Sequence, residues 1–232
     1  MGAVRPMMGV ALHLLLGLHL TIHSMNSESS KSLAAKDPVM GALINRIGPI
    51  TLSPKRLPVF QSLAQAIIHQ QLSGKAAGTI LQRFINLFPH SAFPDPGGVL
   101  SASLEALRSV GLSRPKIRSM RDLAERTSNH SVPTLEECDA LGDADLIDKY
   151  TAIIGVGKWT VEMLLIFNLG RPDVLPIHDL GVRKGFQIAY RKRRKPTPKE
   201  LDRAGQKWKP YRSLAALYLW RAVDTPDDGG GR

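Results

Sequence analysis

The sequence predicts an all-α protein, and three observations carry that expectation. From Lys36 onward, apolar residues recur at helical period in almost every segment. No stretch shows clear strand alternation beyond a few residues. Chain breakers fall in short clusters, which leaves only short loops between the periodic stretches. With 232 residues, 43% of them apolar and 22% charged, the chain can build one large domain or two lobes with a real core.

The elements follow in order. Pro58 starts a helix with Phe60, Leu63, Ala64, Ile67 and Ile68 on one side. A second runs from about Gly74, with Ala77, Ile80, Leu81, Phe84, Ile85 and Phe88 at i, i+3, i+4 spacing. PHSAFPDPGG, Pro89 to Gly98, is a loop. Short helices follow around Leu104 to Val110, stopped by Gly111, and around Pro115 to Arg126, with Ser113 or Arg114 as cap. Thr134-x-x-Glu137 and Thr197-x-x-Glu200 have capping-box spacing, the latter with Pro198 at the first helical position. Between them, Asp145 to Ile153 reads as one helix with Leu146, Ile147 and Tyr150 inward. Trp159 to Asn168 reads as the next, with Met163, Leu164 and Phe167 inward. Pro210 opens a last helix through Leu214, Leu217, Tyr218 and Trp220. No internal repeat is evident, and residues 225–232, ending DDGGGR, read as a flexible tail.

The N-terminus departs from this pattern. Gly9 to Ile22 is apolar, follows Arg5, and is too short to span a membrane. A signal or anchor, a short targeting leader, and upstream sequence with Met25 as the working start all fit; the third fits best. Residues 1–35 are therefore set apart as a non-conforming, disordered extension.

Charge bounds the partners. Against 20 acidic residues stand 31 Lys and Arg, giving a formal charge of +11 and a pI near 10.0. Such a field favours polyanions, either nucleic acid or an acidic membrane surface. Five of these cations are consecutive, Arg191 to Lys195. Most simply they are a solvated helix end; in a nucleic-acid-binding protein they would add backbone electrostatics. Cys138 is the only cysteine, which rules out an internal disulfide, a four-cysteine cluster and a cysteine-based zinc site, and points to a reducing compartment.

The stretch between the two central helices is the most informative. In IIGVGKWTVEMLLIF, Gly155 and Gly157 bracket Val156, then come Lys158, Trp159 and Thr160. Glycines permit positive φ and close backbone approach, and the first amides of the following helix have no intrahelical acceptor and face an anion favourably. A plain αα-turn would account for two glycines alone. The full pattern, apolar-x-Gly-apolar-Gly-x-x-Thr before an apolar helix, resembles the helix-hairpin-helix DNA-binding motif. Together with GRPDVLPIHDLGVRKGF (Gly170 to Phe186), AIIHQQLSGKAAGTI (Ala66 to Ile80) and KWKPYRSLAALYLW (Lys207 to Trp220), it resembles the helix-hairpin-helix DNA glycosylase superfamily. Within that superfamily it is most similar to the DNA-3-methyladenine glycosylase II, or alkylbase DNA glycosidase, family. The resemblance runs from about Lys36 to Val223.

That resemblance implies a monofunctional glycosylase acting on alkylated purines of the 3-methyladenine and 7-methylguanine type in base excision repair. Such an enzyme flips the nucleotide out of the stack and breaks its glycosidic bond. Gly170, Pro172 and Pro176 match the family's Gly/Pro-rich loop, and Asp179 falls at its catalytic aspartate. On residue type alone Asp179 reads as an N-cap, a role compatible with catalysis. In the lyase branch a nucleophilic lysine stands second after the last hairpin glycine. Here that position is Trp159, and Lys158, one step earlier, is turned by about 100°. Trp159 and Trp208 are the implied walls of a base pocket, where an indole face attracts a cationic purine. Gln71, with Leu72 as the second choice, is the implied wedge that fills the duplex after flipping. Ser73, Gly74 and Lys75, with Gly155, Val156, Gly157, Lys158 and Thr160, are the implied backbone contacts. No metal and no cofactor are implied. Two rivals stand beside this reading: a bifunctional glycosylase/lyase, and a non-catalytic hairpin module that binds DNA.

The expected architecture is two helical lobes with DNA and the base pocket in the cleft between them. Residues 36–224 form the domain, with 58–169 as the hairpin lobe and 36–57 plus 180–224 as the other. The expected partner is double-stranded DNA containing alkylated bases, met by a monomer without membrane attachment, in the cytoplasm or nucleoid of a bacterium or the nucleus of a eukaryote.

Overall fold

Thirteen α-helices and no strand make up residues 26–225, the part of the chain that the computed structural model describes. The first helix corrects an expectation. The stretch read as a disordered extension is helical from Asn26: α1 (Asn26–Lys36) buries Ser29 and Leu33, and Asp37 completes the same face at i+4 spacing. NSESSKSLAAK hides its period because Leu33 is its only large apolar residue. Small residues do the packing instead: a Cβ on Gly41 would stand 3.2 Å from that of Ala34. Gly9 to Ile22 and all but the first residue of the 225–232 tail lie outside the described residues. Among the described residues, no helix is long and apolar enough to cross a membrane.

Asp37 ends α1 and caps α2 (Pro38–Ile47), accepting from the amides of Val39 and Met40. The chain then enters the first of two units, Lys55–Leu164; the second unit comprises residues 26–54 and 165–225. In the first unit stand α3 (Val59–His69), α4 (Gly74–Asn86), α5 (Pro96–Ser101), α6 (Leu104–Ser109) and α7 (Arg114–Ser128). After them come α8 (Leu135–Ala140), α9 (Asp143–Thr151) and α10 (Lys158–Met163). The core holds Leu63, Ile67, Ile68, Phe84, Leu107, Met120 and Leu123: four that the helical period placed inward together with three from α6 and α7. The loop after α4 is pinned by Phe93, whose ring meets Phe60 and Phe84 edge-on. Tyr150 is fully buried, its hydroxyl donating to Pro133 O and meeting Cys138 Sγ, so the lone cysteine is a packed core residue.

Where one continuous helix was expected from Trp159 to Asn168, α10 gives way to a π-helical turn, Leu164–Asn168. The backbone passes into the second unit there, at Leu164 rather than after Leu169. Arg171 N–H closes the turn on Leu165 O, and Gly170, with φ +72, lies where a Cβ would be 2.9 Å from Pro54.

The second unit continues with α11 (Leu180–Ala189), α12 (Pro198–Gly205) and α13 (Arg212–Asp224). α13 is buried from Ser213 to Trp220 on all sides, as expected of a helix that is apolar all round. It approaches α11 closely because Gly181 and Gly185 present no side chain; a Cβ on Gly185 would overlap Leu219 O at 1.8 Å.

Candidate functional site

The hairpin between α9 and α10 is built from the inside out. Ile153 and Val156 are buried, and Val156 N–H closes a turn on Ile153 O. Gly155 takes φ +77, a conformation that disfavours any side chain, and a Cβ there would stand 2.3 Å from Ser119 Oγ. Gly157 differs. Its φ is −92, and a Cβ added there meets nothing within 4 Å. The fold of the free chain requires a glycine at 155 and does not require one at 157. Lys158 is exposed and stands 4.0 Å from the buried Glu162 carboxylate, one turn on. Trp159 is half-buried, while Thr160 is buried.

The turn between α3 and α4 lies in the same unit. Gln70 caps α3, and Ser73 caps α4 by accepting from Ala76 N–H. Gln71, between them, is exposed and takes φ +59; Leu72 is less exposed. Lys75 is exposed in the first turn of α4 and Gly74 is half-buried. Lys116 donates to Ile68 O at 2.6 Å, and burial holds its ammonium below the usual lysine range.

In the second unit the loop after Gly170 is fastened to the start of α13. Arg212 grips the Asp173 carboxylate with two nitrogens, at 2.7 and 2.9 Å. Ser213 Oγ donates to Arg171 O and accepts from Val174 N–H. This loop delivers Asp179, only 7% exposed, to the N-cap of α11. One of its oxygens, Oδ1, accepts both Val182 N–H at 2.7 Å and Trp220 Nε1–H at 2.8 Å. The indole of Trp220 lies 5.8 Å from Phe167 and passes over Gly181, where a Cβ would be 2.8 Å from its Cδ1. A carboxylate so held has its orientation set from two sides and lies where a helix dipole favours negative charge.

The comparisons with known proteins now bear on this geometry. Residues 64–210 match the family model described as HhH-GPD superfamily base excision DNA repair protein. The chain belongs to that superfamily. Among curated relatives, DNA-3-methyladenine glycosylase 1 of Schizosaccharomyces pombe is 37% identical over 80% of this chain and 81% of its own. The alkylbase DNA glycosidase-like protein mag2 of the same organism is 30% identical over 83% and 92%. Among solved structures, S. pombe 3-methyladenine DNA glycosylase in complex with abasic DNA is 34% identical, covering 87% of this chain and 98% of that one, with a TM-score of 0.77. A DNA-3-methyladenine glycosidase from Bacillus halodurans is 35% identical over 89% and 94%, with a TM-score of 0.81.

Within this HhH-GPD fold, the residues singled out from the sequence fall into two groups. The first unit brings together Gln71, Leu72, Ser73, Gly74 and Lys75 at one turn, and Gly155, Val156, Gly157, Lys158, Trp159 and Thr160 at the hairpin. Gln70 Nε2–H joins the two through Gly155 O at 3.0 Å. The second unit holds Asp179. Trp208, expected to line a base pocket, does not: it is 0% exposed. Its Nε1–H donates to Asp37 at 2.8 Å, and its ring packs on Phe186 and Tyr190. The lysines on either side of Trp208 hide this burial from the sequence. Lys207 reaches over the same spot, pairing with Asp37 at 2.9 Å and lying 5.6 Å from the Tyr190 ring, so a charged neighbour covers a core indole. The tryptophan that does stand at the Asp179 carboxylate is Trp220, which sequence reading treats only as an inward residue of the last helix. Its role is invisible locally because its partner lies 41 positions away.

Proposed function

We propose that this HhH-GPD protein is a monofunctional DNA glycosylase that hydrolyses the N-glycosidic bond of alkylated purines, of the 3-methyladenine and 7-methylguanine type, in duplex DNA during base excision repair. It would act as a monomer, in the nucleoid or nucleus. The observation that carries the reading is the Asp179 carboxylate, buried at a helix N-terminus and oriented by Val182 N–H and Trp220 Nε1–H. The names of the relatives, DNA-3-methyladenine glycosylase 1 among them, support the substrate class.

In the proposed reaction the first unit handles the duplex. Gly155, Val156, Gly157, Lys158 and Thr160 grip one stretch of backbone, as Ser73, Gly74 and Lys75 grip another. Gly157, the N-cap of α10, has open space around it, which leaves room for close approach of a phosphate. Gln71, exposed at its turn with a left-handed backbone, is the wedge. Once the nucleotide is flipped, the C1′–N bond breaks and its electron pair leaves with the base, leaving an oxocarbenium at C1′. The Asp179 carboxylate stabilises that cation and then takes a proton from the water that adds to C1′. Trp159 offers an indole face to the cationic purine, worth about 0.5–2 kcal/mol. Because an indole stands in the register of the lyase lysine, the base is released without a Schiff base at C1′ and the abasic sugar stays in the strand.

The test is release of methylated purines from alkylated duplex DNA. Asp179→Asn should lower release by more than about a hundredfold, the scale of a general base with its electrostatic share. Undiminished release would remove Asp179 from catalysis. Borohydride should trap no covalent adduct with the wild-type protein, and a trapped adduct would reverse the monofunctional assignment.

A further inference from the structure

The α3–α4 turn and the hairpin of the first unit come from distant parts of the chain, and α7 underlies both. Lys116, Ser119, Asp122 and Arg126 follow at steps of three, three and four, one face of that helix. Lys116 holds the end of α3 through Ile68 O. Ser119 sits beneath Gly155. Asp122 Oδ2 accepts Ile154 N–H at 2.7 Å and is itself held by Arg126. Each loop is thus fastened at its base to a common support.

At the working ends of these loops runs a direct bond. Gln70 Nε2–H donates to the Gly155 carbonyl at 3.0 Å. Gly155 is left-handed, with φ +77, and its carbonyl faces the neighbouring turn. The next residue along, Gln71, is left-handed as well, a conformation rare for a residue with a side chain. The pair is therefore split: Gln70 is tied to the hairpin, while Gln71 is exposed.

We propose that Gln70 is a positioning residue that couples the insertion turn to the phosphate-binding hairpin, so that backbone grip and wedge insertion occur as one event. The inference rests on the proposed glycosylase reading, which makes the hairpin the grip and Gln71 the wedge. Inserting a side chain into a base stack pushes back on the turn that carries it. The amide of Gln70 passes that load to Gly155, in a hairpin that phosphate contacts hold in place. Coupling of this kind is reciprocal. A hairpin seated on DNA favours the inserted turn, and an inserted turn tightens the hairpin's hold.

The experiment is a double-mutant cycle in two backgrounds. Dissociation constants for a duplex carrying a tetrahydrofuran abasic analogue are measured at fixed salt for wild type, Gln71→Ala, Lys158→Ala and the double variant. The same set is then measured with Gln70→Ala added. In the wild-type background the double variant should deviate from the product of the single effects by roughly threefold or more, as residues of one network do. With Gln70→Ala the two effects should multiply, to within about twofold. A 2-aminopurine beside the lesion should report weaker unstacking with Gln70→Ala, while affinity for undamaged duplex stays within about twofold. Gln70→Glu keeps the shape and removes the donor, so it should follow the alanine variant at an unchanged melting temperature. Gln70→Glu behaving as wild type, or multiplicative effects in the wild-type background, overturns the coupling while leaving a wild type that still excises. Wild type that releases no methylated purine removes the glycosylase reading and this inference with it.

Discussion

A methyl group at Gly181 is predicted to uncouple the Asp179 carboxylate from its indole partner. Alanine in place of glycine inside a helix ordinarily stabilises by about 0.5–1 kcal/mol. Here the added Cβ would lie 2.8 Å from Trp220 Cδ1 and 3.1 Å from both Asp179 Oδ1 and Trp220 Nε1. Carbon atoms settle at roughly 3.5–4.0 Å, so the indole must retreat by about 1 Å. It has little freedom to do so, being 6% exposed and packed against Phe167 at 5.8 Å. The 2.8 Å bond to Asp179 then opens beyond hydrogen-bonding range. Overpacking costs roughly 1–3 kcal/mol, enough to turn the usual gain into a net loss of about 1–2 kcal/mol. A displacement of about 1 Å at a reacting group is worth on the order of a hundredfold in rate. Gly181→Ala should therefore lose stability in urea titration and lose roughly 10- to 100-fold in single-turnover release of 7-methylguanine. Trp220→Phe, which keeps the ring and removes the donor, should share the rate loss with less of the stability loss. A Gly181→Ala protein that is more stable than wild type and equally fast would refute the reasoning.

Three further outcomes are expected. Trp208→Ala should cost about 3–5 kcal/mol in denaturant unfolding because it empties a fully buried site, whereas Trp159→Ala, at a half-buried site, should cost clearly less and lower release of cationic purines; equal effects would undo the separation of the two tryptophans. Gly155→Ala should destabilise by about 1–3 kcal/mol through its positive φ and its contact with Ser119, while Gly157→Ala should stay within about 1 kcal/mol in thermal melts and bind duplex DNA more weakly. The third concerns pH: burial pushes the Asp37 carboxyl up, but hydrogen bonds from Tyr190, Trp208 and Lys207, with the Lys207 charge, outweigh it and hold it below the usual range. A group depressed in the folded state stabilises above its unfolded pKa of about 3.9. That contribution is lost as pH falls through the folded value, so unfolding titrations from pH 6 to 2 should steepen below about pH 4, and less so for Asp37→Asn.

The parts of this molecule legible in the sequence are those whose causes are local. Helical period located α3, α4 and α7, and the two capping boxes stand where Thr134 and Thr197 announce them. Asp179 reads correctly as a cap for the same reason. What stayed hidden depends on partners far along the chain. Leu33 gives α1 too weak a period to be seen, and the helix is held by packing against α2. Trp208 and Trp220 look alike as letters, and only tertiary contact assigns one to the Asp37 cluster and the other to Asp179. The break from α-helix to π-helix at Leu164 has no composition of its own. It falls where the chain passes from one unit to the next.

That passage has a consequence for how the protein comes into being. Among the described residues the first unit is one uninterrupted segment, Lys55–Leu164, and the two parts of the second unit precede and follow it in the sequence. A ribosome therefore releases everything needed for the hairpin and the insertion turn before α11 exists, and domains generally fold as units in the order of synthesis. Asp179 emerges next, and Trp220, the donor that orients it, comes only near the end. The half proposed to hold damaged DNA is complete first, and the carboxylate is set last. A chain cut short within α13 would thus carry the turn and hairpin proposed to hold DNA and lack the donor that orients Asp179.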